Sequence, residues 1–111
     1  MANIGFNKID LINVLSAAQD IKQTVNQTLT VTGVYTYDDV DKETGEAKTV
    51  GAIKCSDGMI FGFTSSTLLE CAERIADVLM DGECSEVDIK TISRESKAGR
   101  TFYQFIVTDI R

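Results

Sequence analysis

The apolar positions between residues 66 and 82 recur at steps of three and four residues, which is the period of an amphipathic helix. The apolar stripe consists of Leu68, Cys71, Ala72, Ile75, Ala76 and Leu79. Thr67 and Glu70 have the spacing of a capping box at the start of this helix. Gly82 follows the last apolar position, where glycine commonly ends a helix. We therefore predict a helix over residues 66–82 that packs its stripe on the rest of the chain.

A second stretch with helical periodicity lies near the N-terminus. Its apolar members are Ile9, Ile12, Leu15, Ala18, Ile21 and Val25. The pattern predicts a helix over residues 8–25, with Asn7 as its N-cap and Phe6 packed on Leu11 as a hydrophobic staple. Its apolar face has two interpretations, packing on the domain or self-association with a second copy, and the sequence leaves both open.

Alternating apolar and polar residues, rich in β-branched and aromatic types, predict five strands. The strands cover residues 29–37, 47–55, 59–63, 86–93 and 101–110. Gly33 predicts a bulge or a sharp bend in the first strand. The turn Ser56-Asp57-Gly58 is short, so the second and third strands are expected to form an antiparallel hairpin.

The order of these elements is a helix, three strands, a helix and two strands. A helix between the third and fourth of five strands is typical of the OB-fold, a partly open barrel that binds oligonucleotides and oligosaccharides. We therefore predict a mainly β protein with two helices, an OB-like five-stranded barrel preceded by an N-terminal helix. We expect one domain over residues 1–111, with the N-terminal helix in 1–26 and the barrel in 27–111. An α+β sandwich with both helices on one face of an open sheet has the same element order and is the alternative.

The sequence has no His, and its three Cys are widely spaced, so it contains no zinc-ligand pattern and no Ser-His or Cys-His pair. We expect no enzymatic activity, cofactor or metal, although carboxylate chemistry stays open. No apolar run approaches the roughly 20 residues that cross a bilayer. The first residues lack the basic and apolar regions of a secretion signal, so we expect a cytoplasmic protein without membrane contact.

Charge is unevenly distributed along the chain, whose net charge is -6. Residues 1–84 carry 6 basic and 13 acidic side chains, whereas residues 85–111 carry 5 basic and 4 acidic. The predicted loop over 94–100 has three basic residues and one Glu, and is either a phosphate contact or an ordinary solvated turn. The acidic loop over 38–46 is either a solvated loop or a cation site, although its spacing does not match an EF-hand.

A series of short motifs runs along the predicted barrel. In order, they are Val34-Tyr35-Thr36-Tyr37, a charged loop that contains glycine, a Ser-Asp-Gly turn with an apolar strand over 56–63, Ser66-Thr67 at the start of the central helix, and Ser-Lys-Ala-Gly over 96–99 before a Phe-Tyr-x-Phe strand. In order and spacing these motifs resemble the single-stranded DNA-binding protein of small tailed phages that replicate by protein priming. The resemblance spans about residues 29–107, and the chain departs from that family in its N-terminal helix and its acidity.

The resemblance implies an OB-type barrel that coats displaced single strands without sequence preference, in the cytoplasm of a phage host. We expect the partner to be DNA rather than RNA. Such binding needs aromatic rings that stack on bases and a modest basic track for phosphates. The predicted nucleic-acid-binding residues are Tyr35, Tyr37, Lys48, Lys54, Lys90, Arg94, Lys97, Arg100 and Tyr103.

Each aromatic ring has a competing role in the core. Phe61, Phe63 and Phe105 are assigned to the core, because a small barrel needs large apolar side chains inside. Tyr35 and Tyr37 share one strand face, so they are both in the core or both on a stacking platform, and their hydroxyls favour partial exposure.

A second hypothesis comes from the acidity of the chain. A small acidic protein could occupy a partner's nucleic-acid site, with the loop over 38–46 as its active surface. Charge reversal separates the two hypotheses, because each requires a different loop.

Overall fold

Four strands of nine or more residues, a four-residue strand and one long helix build most of the molecule. The computed structural model describes residues 3–16, 18–82 and 84–111. The elements are β1 (Asn3–Ile4), α1 (Lys8–Ser16), β2 (Gln19–Asp20), a 3-10 helix (Ile21–Thr24), β3 (Thr28–Val40), β4 (Ala47–Cys55), β5 (Ile60–Phe63), α2 (Ser66–Met80), β6 (Val87–Glu95) and β7 (Thr101–Ile110). None of the described helices has the length and apolar character needed to cross a membrane.

The seven strands found in the described residues form one sheet, in the order β2-β5-β4-β3-β6-β7, with β1 paired to β3. The sheet curls until the rings of Phe63 in β5 and Phe105 in β7 meet edge to face, with centroids 5.5 Å apart. The protein is thus mainly β with two helices and an OB-like half-barrel, as predicted in outline. The strand count and order differ from the five-stranded prediction, because two short strands are added and β2 pairs in parallel with β5.

The two helices lie on opposite faces of the sheet, which excludes the sandwich with both helices on one face. Neighbouring residues of β4 point to opposite sides: Ile53 packs in the main core with α2, and Ala52 packs in a smaller cluster with Val14 of α1. We call the side that faces α2 the inner face and the other side the outer face.

The helix α2 confirms the central prediction. Its stripe is buried at Leu68, Ala72, Ile75, Ala76 and Leu79, and Cys71 is half-buried. Gly82 follows the helix with a φ of +76°, the conformation expected of a terminating glycine.

The predicted capping box is wrong. The helix begins one residue after Ser65, so Thr67 already lies in the first turn, and no side chain caps the start. The carboxylate of Glu70 instead pairs with Arg74 one turn later, at 3.0 Å.

The N-terminal helix is shorter than predicted. It ends at Ser16, and the chain continues through β2 and the 3-10 helix, while Ala17 and the side chain of Leu15 lie outside the described residues. The reason is tertiary: Ile21 is buried in the main core, and the hydroxyl of Thr24 donates to the carbonyl of Ile21 and contacts the hydroxyl of Thr91 at 2.8 Å. These contacts outweigh the helical preference of the segment.

The N-cap prediction at Asn7 is confirmed. Its Oδ1 accepts from the amide of Asp10 at 2.8 Å, and Oδ2 of Asp10 accepts from the amide of Asn7 at 3.0 Å. This reciprocal arrangement satisfies two amides at the start of α1.

Two strands extend further than predicted. β3 continues to Val40 and β6 to Glu95, so the loops are confined to residues 41–46 and 96–100. The acidic residues of 38–40 belong to a ladder in which Asp39 faces Lys48. At Gly33 the register shifts, which confirms the bulge, and an added Cβ would lie 2.8 Å from the carbonyl oxygen of Ile4.

Candidate nucleic-acid interface

A pair of tyrosines forms the centre of the outer face of β3. Tyr35 and Tyr37 are half-buried, and their rings stack at 5.1 Å with planes 22° apart. They share this face because side chains of a strand alternate, and Val34 points into the main core. The two rings therefore act as one unit, partly supported from below and partly open to solvent.

The support for this pair comes from the N-terminal segment and from β4. The ring of Phe6 lies 5.6 Å from that of Tyr35, and both tyrosines pack beside the cluster of Val14, Ala52 and Ile60. Phe6 is absent from the predicted site, where it appears only as a staple on Leu11. Burial, followed by the charge of Asp39, raises the pKa of Tyr37 above its ordinary value.

The two lysines of the outer face of β4 already have acidic neighbours. Nζ of Lys54 lies 2.7 Å from Oδ2 of Asp10, and this bond, with the amide of Asn7, holds the pKa of Asp10 below its ordinary value. Lys48 is exposed and lies opposite Asp39 in the ladder. The outer face therefore offers rings but little uncompensated positive charge.

The hairpin of β6 and β7 has the opposite character, and we call residues 90–100 the basic hairpin. Its exposed cations are Lys90, Arg94, Lys97 and Arg100. Within the described part of the chain these four make no ion pair, whereas Arg74 and Arg111 do. Ser96 closes the turn, since its amide donates to the carbonyl of Arg100 at 2.8 Å.

An aromatic ring lies beside the basic hairpin, on β7. Arg94 lies opposite Phe102 in the ladder, on the side of the strands away from the core, and Phe102 is half-buried. Phe102 is missing from the predicted set, although the alternation of Phe102, Gln104 and Ile106 against the buried Phe105 could have identified it.

Tyr103 lies beside Arg94 in the ladder of β6 and β7, but on the inner face of the strands. It packs against the main core and lines a cleft of about 500 Å3 between β7 and the segment that contains Lys22. Nζ of Lys22 lies 5.7 Å from the centroid of the Tyr103 ring, a cation–π distance. Phe61, Phe63 and Phe105 are buried, as predicted.

The acidic loop over 41–46 is organised by its own backbone. The amide of Glu43 donates to Oδ1 of Asp41 at 2.8 Å, and this bond is the main cause of the lowered pKa of Asp41. Nowhere in the described ranges do three or more His, Cys, Asp or Glu side chains converge as metal ligands would. The cation interpretation of this loop thus gains no support.

The comparisons with known proteins bear on this arrangement of rings and cations. A family model described as phage single-stranded DNA-binding protein matches residues 7–108, a span that includes the tyrosine pair and the basic hairpin. No curated protein and no solved structure matches the chain. The resemblance found in the sequence is confirmed, and the chain belongs to the family of phage single-stranded DNA-binding proteins.

Proposed function

We propose that this protein coats single-stranded DNA without sequence preference during the replication of a phage genome, in the cytoplasm of the host. The family supports single-stranded DNA as the partner. Coating requires aromatic stacking that tolerates every base and cations that follow the phosphates. The outer face and the basic hairpin supply these two components separately.

The observation that carries the proposal is the concentration of unpaired cations on one hairpin of an acidic protein. Four of the eleven basic residues lie on the basic hairpin without an ion pair in the described residues, while the net charge of the chain is -6. Phosphate affinity arises from Lys and Arg that release counterions. An anionic strand is therefore attracted to this hairpin and repelled by most of the remaining surface.

The acidic surface restricts where a strand can lie. Glu70, Glu73 and Asp77 are exposed on α2, on the inner side of the sheet. Negative charge there disfavours a phosphate backbone and confines it to the outer side. Bases can then stack on Tyr35 and Tyr37, where each stacked base contributes about 1–3 kcal/mol.

The remaining predicted residues have conditional roles in this proposal. Lys48 is exposed and can contact a phosphate beside the tyrosine pair, whereas Lys54 must first leave Asp10. Tyr103 lies away from the outer face, so a base would reach it only through the cleft beside Lys22.

The test is a fluorescence anisotropy titration of a labelled oligo-dT of roughly 30 nucleotides, at low and moderate salt. We expect binding that weakens with salt and is lost when Arg94, Lys97 and Arg100 are all changed to Glu. The matched control changes Glu43 and Glu46 to Lys in the acidic loop, and it should bind at least as well as the wild type.

Two results would contradict the proposal. A flat titration at high protein concentration and low salt would remove DNA coating. If the acidic-loop variant lost function and the basic-hairpin variant kept it, the result would favour the second hypothesis, a small acidic protein that occupies a partner's nucleic-acid site.

A further inference from the structure

An apolar groove of about 200 Å3 lies between α2 and β7, on the inner side of the sheet. Its apolar lining comes from Ile75 and Val78 of the helix and from Phe105, Val107 and Ile110 of the strand. An apolar cavity of about 150 Å3 accepts a benzene ring, so this groove has room for one large apolar side chain.

The groove is open to solvent although its lining is apolar. Ile75 and Phe105 are buried in the main core, whereas Val107 and Ile110 are 46% and 50% exposed. Exposed apolar patches bordered by polar residues mark sites of protein–protein contact. The groove is therefore a candidate docking site, and the charges around it indicate what it binds.

The border of the groove on α2 is acidic. Asp77 lies three residues after Arg74, and Asp81 lies three residues after Val78 with an α-helical backbone, so both carboxylates follow the groove along the helix. Arg74 also lines the groove, but its guanidinium pairs with Glu70 at 3.0 Å. Within residues 3–16, 18–82 and 84–111, neither Asp77 nor Asp81 forms an ion pair. Three carboxylates and one guanidinium leave this border with a surplus of negative charge.

This charge selects among the possible occupants of the groove. It repels the phosphate backbone of a nucleic acid. A second copy carries a net charge of -6, and the cations of its basic hairpin are those that the proposed function assigns to DNA. A cationic segment of another protein is attracted, and its apolar side chains would remove Val107 and Ile110 from water.

We propose that the groove between α2 and β7 binds a basic segment of another protein. One large apolar side chain of that segment packs against Val107 and Ile110. Its Lys or Arg side chains lie beside Asp77 and Asp81. The apolar anchor supplies most of the affinity, and the charges supply specificity.

The groove and the proposed DNA-binding surface lie on opposite sides of the sheet. Val107 borders the inner side, whereas Tyr35 and Tyr37 lie on the outer face. A protein in the groove and a strand on the outer face therefore do not compete for the same side chains. A DNA-bound molecule can thus hold a second protein on its inner side.

The test begins with a library of short random peptides, displayed on phage and panned against the full chain without DNA. We expect enrichment of peptides that combine a large apolar residue with several Lys or Arg. A selected peptide is then labelled with fluorescein, and its Kd is measured by fluorescence anisotropy. Val107→Lys should raise this Kd at least about tenfold, because it places a charge in an apolar groove. Asp81→Lys should raise it at least about threefold, because it reverses a charge on the border.

Each variant has a matched control. Ile12→Lys controls for Val107→Lys, since Ile12 is 70% exposed on α1. Glu73→Lys controls for Asp81→Lys, since Glu73 is exposed on the side of α2 away from the groove. Both controls should leave the Kd of the peptide unchanged. Circular dichroism checks the fold, and Ile110→Lys replaces Val107→Lys if that variant is unfolded.

A control peptide with its large apolar residue changed to Ser tests whether charge alone is sufficient. We expect it to bind at least about tenfold more weakly, because it leaves the groove empty. All four variants should retain oligo-dT binding. A wild type that bound the peptide but not oligo-dT would contradict the proposed function alone.

Five results would overturn the proposal. The first three are the absence of enriched basic peptides, equal peptide binding by the wild type and Val107→Lys, and equal binding of the Ser control peptide. Loss of oligo-dT binding in Val107→Lys, with Ile12→Lys intact, would assign the groove to DNA. A wild-type dimer in sedimentation velocity that Val107→Lys dissociates would assign it to a second copy.

Discussion

The outer face of β3 and the basic hairpin differ in how their functional groups are held. Tyr35 and Tyr37 are half-buried, stacked on each other and supported by Phe6. The cations of the basic hairpin are exposed and have no acidic partner in the described chain. One region is thus fixed by packing, and the other is held only by its strands and turn.

Because of this difference, the two regions are suited to different parts of DNA binding. Rings that are already ordered lose little conformational entropy when a base stacks on them, so they suit contacts that set affinity. Unpaired cations act over longer distances and respond to salt, so they suit attraction and phosphate contact. A protein with a net charge of -6 can bind DNA if these two functions lie on the same side of its sheet.

Among single substitutions, the largest expected effect comes from removing a ring from the outer face. Tyr37→Ala should cost about 1–3 kcal/mol of binding free energy, which is a loss of roughly 5- to 150-fold in affinity for oligo-dT. Titration calorimetry with the same oligonucleotide measures this loss.

The control for this variant is Tyr37→Phe, which keeps the aromatic ring and should retain most of the affinity. If Tyr37→Phe lost as much affinity as Tyr37→Ala, the hydroxyl rather than stacking would be responsible. If Tyr37→Ala bound normally, the outer face would have no part in binding.

A smaller effect is expected at the ion pair that neutralises the outer face. Asp10→Asn removes the charge opposite Lys54 but keeps an oxygen that can accept from the amide of Asn7. We expect a loss of about 1 kcal/mol in unfolding free energy near neutral pH, as for a partly exposed ion pair. The freed ammonium of Lys54 should also raise the affinity for oligo-dT modestly at low salt.

The pH dependence of stability checks the same pair. The pKa of Asp10 is lowered in the folded protein from an ordinary value of 3.8, chiefly by Lys54, so the unfolded chain takes up the proton first as pH falls. The stabilisation is complete above that ordinary pKa and is lost as pH drops through the lowered one. Urea unfolding at about pH 6 and about pH 3 should show a smaller wild-type advantage over Asp10→Asn at the lower pH. An advantage of the same size at both pH values would mean that the pair does not cause it.

The features that could be predicted from the sequence are those that depend on a local pattern of residues. The helix α2 was predictable because its buried stripe is long and regular, and β4 and β7 have the predicted bounds. The structure of the segment after Ser16 could not be predicted, because it depends on contacts with distant parts of the chain. Ile21 packs in the main core, and Thr24 contacts Thr91. Local periodicity contains no information about such a contact.

The candidate site was predictable to a similar extent. Alternation correctly placed Tyr35 and Tyr37 on one face. The need of a small barrel for large apolar side chains correctly assigned Phe63 to the core. It could not reveal that Lys54 is paired with Asp10, since those residues are 44 positions apart and only the fold brings them together.

The salt dependence of oligo-dT binding tests the central claim, that base stacking and phosphate contact reside in different parts of the molecule. Affinity should be measured over a series of salt concentrations for the wild type, for Tyr37→Ala and for a variant with Arg94, Lys97 and Arg100 changed to Gln. The account predicts that the plot of log affinity against log salt is shallower for the Gln variant, with a slope smaller in magnitude by about 2. Three lost phosphate contacts to a single strand require a change of this size. Tyr37→Ala should reduce affinity at every salt concentration and leave the slope unchanged. An unchanged slope in the Gln variant, or an equal loss of slope in both variants, would contradict the account.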